Sequence, residues 1–306
     1  MLFDTHAHVL SADRERYPYS TLKGGETPPV APVQFPVEEL VRRMDECGVS
    51  SACLVQRATL YGYDNSYALD AAARFPDRLA PVVVLDALDP ASPAKLRELA
   101  AGDYRLAGLR IVAPRLTRDE TDWLDGDAAL DLWAAAADLG LPLAVIIYRL
   151  NNEAGRAALL RLARRFTAVP ILIDHVGLPH PSTPEKAWCE ANGVDCTIPA
   201  GPGFGIADHL GPFEDLGHVR FKVTDINFDR LDEAGLDTSA FVRALADRFG
   251  AERLLWGSDV GQSPAPYAGK VARLRASAAK LSDDERAAFF GGTAHALYGR
   301  ALGRPA

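Results

Sequence analysis

Leu2-Phe3-Asp4-Thr5-His6-Ala7-His8 opens the chain, and the reading of this stretch decides the fold. Leu2 to Asp4 has the apolar start of a short strand. An open nucleotide-binding α/β sheet would place a glycine-rich turn after its first strand, whereas here the turn reads His6-Ala7-His8. Two residues apart on extended chain, both imidazoles project to one side, and Asp4 shares their parity as a partner that can orient a ring. Polar groups at the C-terminal end of a first strand belong at the mouth of a closed barrel, where catalytic side chains collect.

Seven further apolar segments follow at Ser51–Val55, Leu79–Val84, Gly108–Ile111, Leu143–Ile147, Ile171–Asp174, Val219–Lys222 and Arg253–Trp256. Between them, Val37–Glu46, Ser66–Phe75, Pro93–Ala101, Ala128–Leu139, Ala154–Phe166 and Ser239–Phe249 place apolar residues three and four apart, the spacing of helices leaning on a sheet. Glycine ends several of these helices just before the next strand, as in Cys47-Gly48-Val49 and Phe249-Gly250. The alternation predicts a (β/α)8 TIM barrel as a single domain over 1–306. Extra C-terminal helices, Asp283–Phe290 and Thr293–Leu302, should cover an end or side of it. Two long connections, 11–36 after the first strand and 176–218 after the sixth, rise from the catalytic face as candidate lids.

A formal charge of -8, from 33 Lys and Arg against 41 Asp and Glu, with no basic cluster, argues against nucleic acid as a partner. The first residues lack the basic and apolar segments of a signal peptide, and no apolar run reaches the ~20 residues of a membrane span. A cytoplasmic enzyme with a small-molecule substrate is the expectation. Cys47, Cys53, Cys189 and Cys196 match no common zinc or redox spacing and are expected to be reduced and structural. No self-complementary patch specifies an oligomeric state.

Two more strands end in polar groups: Leu172-Ile173-Asp174 runs into His175, and Leu255-Trp256-Gly257-Ser258 into Asp259. Singly, His175 is as readily a loop histidine and Asp259 a helix cap. Together with His6 and His8 they make four titratable groups from three strands at one barrel end.

The set Asp4-x-His6-x-His8, Asp174-His175-x-Gly177 and Trp256-Gly257-Ser258-Asp259 resembles the amidohydrolase superfamily over nearly the whole chain. Arg16-Tyr17-Pro18-Tyr19, Leu54-Val55-Gln56, Gly62-Tyr63-Asp64-Asn65 and Gly108-Leu109-Arg110 resemble its lactonase branch, which contains 2-pyrone-4,6-dicarboxylate lactonase and enzymes opening sugar lactones or sulfomuconolactone. The resemblance implies hydrolysis of a lactone. The superfamily's usual metal sites draw on a histidine ending strand five, and its binuclear sites also need a lysine or glutamate ending strand four; neither is present in Ile146-Ile147-Tyr148-Arg149 or Gly108-Leu109-Arg110-Ile111. The similar pyrone lactonase works without metal and has a tyrosine where Tyr148 falls. A centre without cofactor is therefore preferred, with one zinc on His6, His8 and Asp259 as the alternative.

In the metal-free form Asp259 takes a proton from water, and His6, His8 and His175 donate to the developing oxyanion. Arg110 is the first candidate for a substrate carboxylate, being at the end of strand four and matching an arginine of the lactonases. Arg115, Arg57, Tyr148 and Lys222 are further substrate-binding candidates, the last resembling a lysine on strand seven of those enzymes. An arginine that those enzymes carry soon after strand seven has no evident counterpart in Val223-Thr224-Asp225-Ile226-Asn227-Phe228. The long 176–218 connection, with loop histidines His180 and His209 and with Trp188, also differs from theirs. Rival readings are a hydrolase of another cyclic ester or amide, a zinc-dependent decarboxylase of aromatic or dienoic acids, and a barrel that only binds a ligand.

Overall fold

A computed structural model describes residues 1–20, 22, 34–113, 120–147, 152–178, 186–187, 190–191, 203–263 and 265–303. Arg115 and Tyr148 lie outside the described residues, as do His180, Trp188, Cys189 and Cys196. Eight strands, β1 (Leu2–Ala7), β2 (Val49–Val55), β3 (Leu79–Val84), β4 (Gly108–Ile111), β5 (Leu143–Val145), β6 (Ile171–Ile173), β7 (Val219–Thr224) and β8 (Leu254–Gly257), form one sheet in chain order. Each pairs in parallel with the next, for example Val83 with Leu109 and Leu172 with Arg220. Helices fill the connections, so the sheet curls into a (β/α)8 barrel with its loops after strands on one face.

The seam between β8 and β1 is closed less by a ladder than by side chains and loop backbone. Ala7 and Val260 make a single parallel bridge, and Asp259 N donates to His6 O at 2.7 Å. Thr5 Oγ1 donates to Trp256 O at 2.7 Å. Buried Asp4 accepts from Ser258 N at 2.8 Å and from the Tyr267 hydroxyl at 3.0 Å. Burial, opposed by these hydrogen bonds, raises its pKa. Gly257 is required at this seam: a Cβ there would stand 2.5 Å from His6 Cβ.

Strand limits depart from the sequence reading where the chain meets its neighbours. β1 runs three residues past Asp4 because its end is bonded to the turn after β8, and β7 continues to Thr224. β5 stops at Val145 rather than Ile147, and β6 at Ile173, where Asp174–Gly177 curls into a tight turn.

Phe3, Cys53, Val82, Ala144 and Leu172 fill the barrel interior, and Tyr298 and Ala301 close over them, with the Tyr298 and Phe3 rings 6.1 Å apart. The C-terminal helices therefore plug the end opposite the polar mouth. The predicted helix Asp283–Phe290 is α-helical only to Ala287; Ala288–Gly292 forms a wider π turn, and Thr293–Tyr298 resumes the helix. Among the described residues, the helices that escaped the sequence reading are the longer Asp225–Glu233 after β7 and Tyr267–Ser277 after β8, and the short Ala58–Tyr61, Asp122–Asp125 and Ile206–Leu210. Cys47 and Cys53 are free thiols. Among the described residues, no helix is long and apolar enough to cross a membrane.

Candidate active site

His6 and His8 at the end of β1, His175 after β6 and Asp259 after β8 meet at the barrel mouth. The His6 ring lies 5.0 Å from that of His8 and 4.9 Å from that of His175. Asp259 Oδ1 is 3.6 Å from His6 Nε2 and 3.4 Å from His8 Nε2, and the other carboxylate oxygen, Oδ2, is buried without a hydrogen-bond partner. None of the four residues exceeds 3% exposure.

Two of these residues are held in left-handed backbone, His175 at φ 53° and Asp259 at φ 53°, and β-branched Val176 follows at φ 55°. Such conformations cost of order 1–3 kcal/mol each and persist only where the surroundings enforce them. Around His175 the enforcement is visible. Asn227 Nδ2 donates to its carbonyl at 2.7 Å, and its Nδ1 lies 2.7 Å from Thr224 Oγ1. Gly177, also left-handed, leaves room for His209, whose Nε2 would be 2.8 Å from a Cβ there and instead hydrogen-bonds the Gly177 carbonyl at 3.1 Å.

A layer below, Asp174 is the hub of a buried charge cluster. Arg110 Nε donates to its Oδ2 at 2.7 Å, and Lys222 Nζ and His6 Nδ1 lie 3.2 and 3.8 Å from Oδ1. The last two are electrostatic contacts, not aligned hydrogen bonds. Burial alone would raise the Asp174 pKa, but Lys222, Arg110 and His175 pull it down to about 2. Burial, reinforced by Lys222 and Arg110, holds His6 well below the ordinary imidazole range. Burial also brings His175 to about 4, against the opposing pull of Asp259 and Asp174. Both rings are neutral near pH 7.

A cavity of about 170 Å³ opens above this cluster, with His8, His175, Asp259, Arg57, Arg110 and Arg230 in its wall. Arg57 is steadied by Gln262 Oε1 at 2.8 Å and by the Gly261 carbonyl. Lys222, read from sequence as a substrate-binding candidate, is placed inside the barrel with no exposed surface and serves as counter-ion to Asp174. Arg230 was missed. It sits on the helix Asp225–Glu233, one turn beyond Ile226, which shares the cavity wall. Its sign in the sequence was the Ile226/Arg230 spacing of four.

The amidohydrolase family profile matches residues 3–300. The chain belongs to the amidohydrolase family. Among curated proteins this amidohydrolase is 30% identical over 278 residues to the L-fucono-1,5-lactonase of Burkholderia ambifaria, a match covering 86% of this chain and 85% of that one. Among solved structures it resembles a putative 2-pyrone-4,6-dicarboxylic acid hydrolase from Pseudomonas putida, with TM-score 0.70, 25% identity, and coverage of 99% of this chain and 98% of that one. It shares the fold of a zinc-bound amidohydrolase from Burkholderia multivorans, with TM-score 0.65, 21% identity, and coverage of 99% and 100%.

The amidohydrolase's own residues fit a cation. His8 Nδ1 lies 2.7 Å from the Val55 carbonyl, which can only accept, so Nδ1 carries a proton, and in the neutral ring it is the Nε2 lone pair that faces Asp259. Neutral His6 has no hydrogen-bond partner on either nitrogen. His6, His8 and Asp259 thus offer three ligand atoms within 4.8 Å of one another, the N/O set of an open zinc site. His6, Asp174 and His175 form a second such group, but there Arg110 and Lys222 already neutralise the carboxylate. One ion, not two, suits this charge distribution.

Proposed function

We propose that this amidohydrolase opens a lactone with water, with a sugar-acid 1,5-lactone as the leading class. The observation that carries the reading is Asp259, its Oδ2 buried without a partner at the edge of an arginine-walled cavity and its Oδ1 against two histidines. The Burkholderia ambifaria lactonase, at 30% identity, supports the ring class.

Asp259 Oδ2 accepts a proton from water as the water oxygen bonds to the ester carbonyl carbon. The carbonyl oxygen takes up the negative charge. Collapse reforms the carbonyl, breaks the bond to the ring oxygen, and Asp259 returns the proton to that oxygen, so one water is added and a hydroxy acid is released. Arg57, Arg110 and Arg230 face the carbonyl and ring hydroxyls as fixed donors, and the cavity wall keeps bulk water away. His6, His8 and Asp259 would hold a divalent ion, which when bound supplies Lewis-acid polarisation of the carbonyl. In a metal-free centre, with Nδ1 on the Val55 carbonyl, His8 donates through Nε2 only when the ring carries both protons.

The test is turnover of a lactone panel (L-fucono-1,5-lactone, other sugar 1,5-lactones, 2-pyrone-4,6-dicarboxylate) with elemental analysis and assays before and after exhaustive chelation. Ring opening by the wild type, and a loss of at least about 100-fold in Asp259→Asn, are expected. Asp259→Asn keeping more than about a tenth of kcat would sink the base assignment. Activity that survives chelation would return His8 to the imidazolium role. Release of CO2 from an aromatic acid, with no lactone opened, would overturn the reading.

A further inference from the structure

Lys270 is a lysine with 1% exposure on the helix Tyr267–Ser277, and no step of the proposed mechanism uses it. A buried ammonium is costly unless paired and hydrogen-bonded. Its Nζ donates to Asp225 Oδ2 at 2.7 Å, Asp225 being itself fully buried, and also to Ser263 Oγ. Each partner leads to one of the two left-handed catalytic turns. Ser263 Oγ lies 3.3 Å from the Asp259 carbonyl, and Ser263 N donates to that carbonyl at 3.1 Å. Asp225 opens the helix that begins directly after Thr224. Thr224 Oγ1 meets His175 Nδ1, and Asn227 of that helix holds the His175 carbonyl.

We propose that Lys270 is a positioning residue that braces both strained turns at once, fixing Asp259 through Ser263 and His175 through Asp225. The inference rests on the lactonase reading for its kinetic consequence, but not for its structural one. Arg273, on the same helix, also holds Asp225 and Asp229, but Lys270 is the cation that joins the helix after β7 to Ser263 of the loop after β8, and these carry the supports of His175 and of Asp259 itself. Loss of the tie lets both turns relax from φ 53°, which moves the Asp259 carboxylate away from His6 and His8, while Arg110 stays on β4 against Asp174. Arg57 is anchored on Gly261 and Gln262 of the same loop, so the signature is a fall in kcat larger than the accompanying change in KM.

The experiment compares wild type, Ser263→Ala, Lys270→Met and the double variant Lys270→Met/Asp225→Asn, with Asp259→Asn as reference. Two readouts are taken: steady-state kinetics on the best lactone of the panel, and amide hydrogen exchange resolved to segments. Ser263→Ala, which removes one hydroxyl and leaves the ion pair in place, is expected to lose about fivefold to tenfold in kcat with KM within about twofold. Lys270→Met should lose more. In it, amides of 175–178 and 259–263 should exchange at least about tenfold faster while β2, β3 and β4 keep wild-type protection. In Lys270→Met the Asp225 carboxylate keeps, among the described residues, only Arg273, which donates to its Oδ1 at 3.1 Å; the double variant, whose Asp225→Asn change removes that charge, should regain melting temperature but not kcat. Unchanged kcat in Ser263→Ala together with uniform acceleration of exchange in Lys270→Met would overturn the inference. If the wild type opens no lactone, the lactonase reading fails, and the exchange pattern alone decides whether Lys270 braces the two turns.

Discussion

Lys222 Nζ lies 3.2 Å from Asp174 Oδ1, and neither side chain has any exposed surface. The pair sits directly beneath the histidine cluster, where Lys222 adds to the burial that lowers the pKa values of His6 and His175. Replacing Lys222 by Met leaves Asp174 with Arg110 alone. Breaking a buried ion pair from one side costs about 3–5 kcal/mol, and the remaining Arg110 contact places this case at the lower end. Urea unfolding of Lys222→Met should show that loss, while the Arg57, Arg110 and Arg230 wall remains. A change below about 0.5 kcal/mol would mean that Asp174 is balanced by Arg110 alone.

Gly257 marks the point where β8 passes against β1. An added methyl would meet His6 Cβ at 2.5 Å and the Thr224 methyl at 3.2 Å, both buried and neither at the end of a flexible chain. Gly257→Ala should therefore destabilise by about 1–3 kcal/mol as an overpacked site. It should also reduce turnover, because the atom displaced belongs to His6. Thermal melting with kinetics reads both, and wild-type values for each would show that the seam yields freely.

Arg230 and Arg110 share the cavity wall. Arg110 neutralises Asp174, so Arg110→Ala is expected to lose stability and activity together. Arg230→Ala is expected to lower kcat/KM: a charged hydrogen bond to substrate is worth about 1.5–3 kcal/mol, which is about 10-fold to 100-fold. Steady-state kinetics of Arg230→Ala on the best lactone read this, and a kcat/KM within about twofold of wild type would remove Arg230 from the substrate-binding set.

The barrel and its mouth were legible because apolar strands alternate with amphipathic helices and because His6, His8, His175 and Asp259 end strands in the sequence itself. The two longer helices that escaped share a physical cause. The helices Asp225–Glu233 and Tyr267–Ser277 carry buried Asp225, Asn227 and Lys270 where an amphipathic pattern calls for apolar side chains, so the periodicity dissolves at the residues that support the site. Arg230 was hidden with the first of these helices. For Lys222, a lysine ending a barrel strand reads as a ligand group, and the pairing with Asp174 that places it inside the barrel has no sign in the sequence. The tautomer of His8, which decides how the cluster receives a cation, rests on the Val55 carbonyl of the neighbouring strand and has no sequence sign.

Acid stability should report His175. Its pKa is held at about 4 in the fold, chiefly by burial, against an ordinary value of 6.5. Between those values the unfolded chain binds a proton that the folded chain refuses, so stability is full above about pH 6.5 and declines as pH falls toward 4. The slope reaches at most about 1.4 kcal/mol per pH unit for one such group. His6, also lowered, acts in the same direction, whereas Asp174, lowered from 3.8 to about 2, withdraws its stabilisation only below that window. Urea midpoints taken from pH 7.5 to 4.5 should fall progressively in the wild type. In His175→Gln, which keeps a hydrogen-bonding side chain beside Thr224 but cannot titrate, the fall should be shallower over the same window. An identical pH profile in the two proteins would assign the acid sensitivity to groups other than His175.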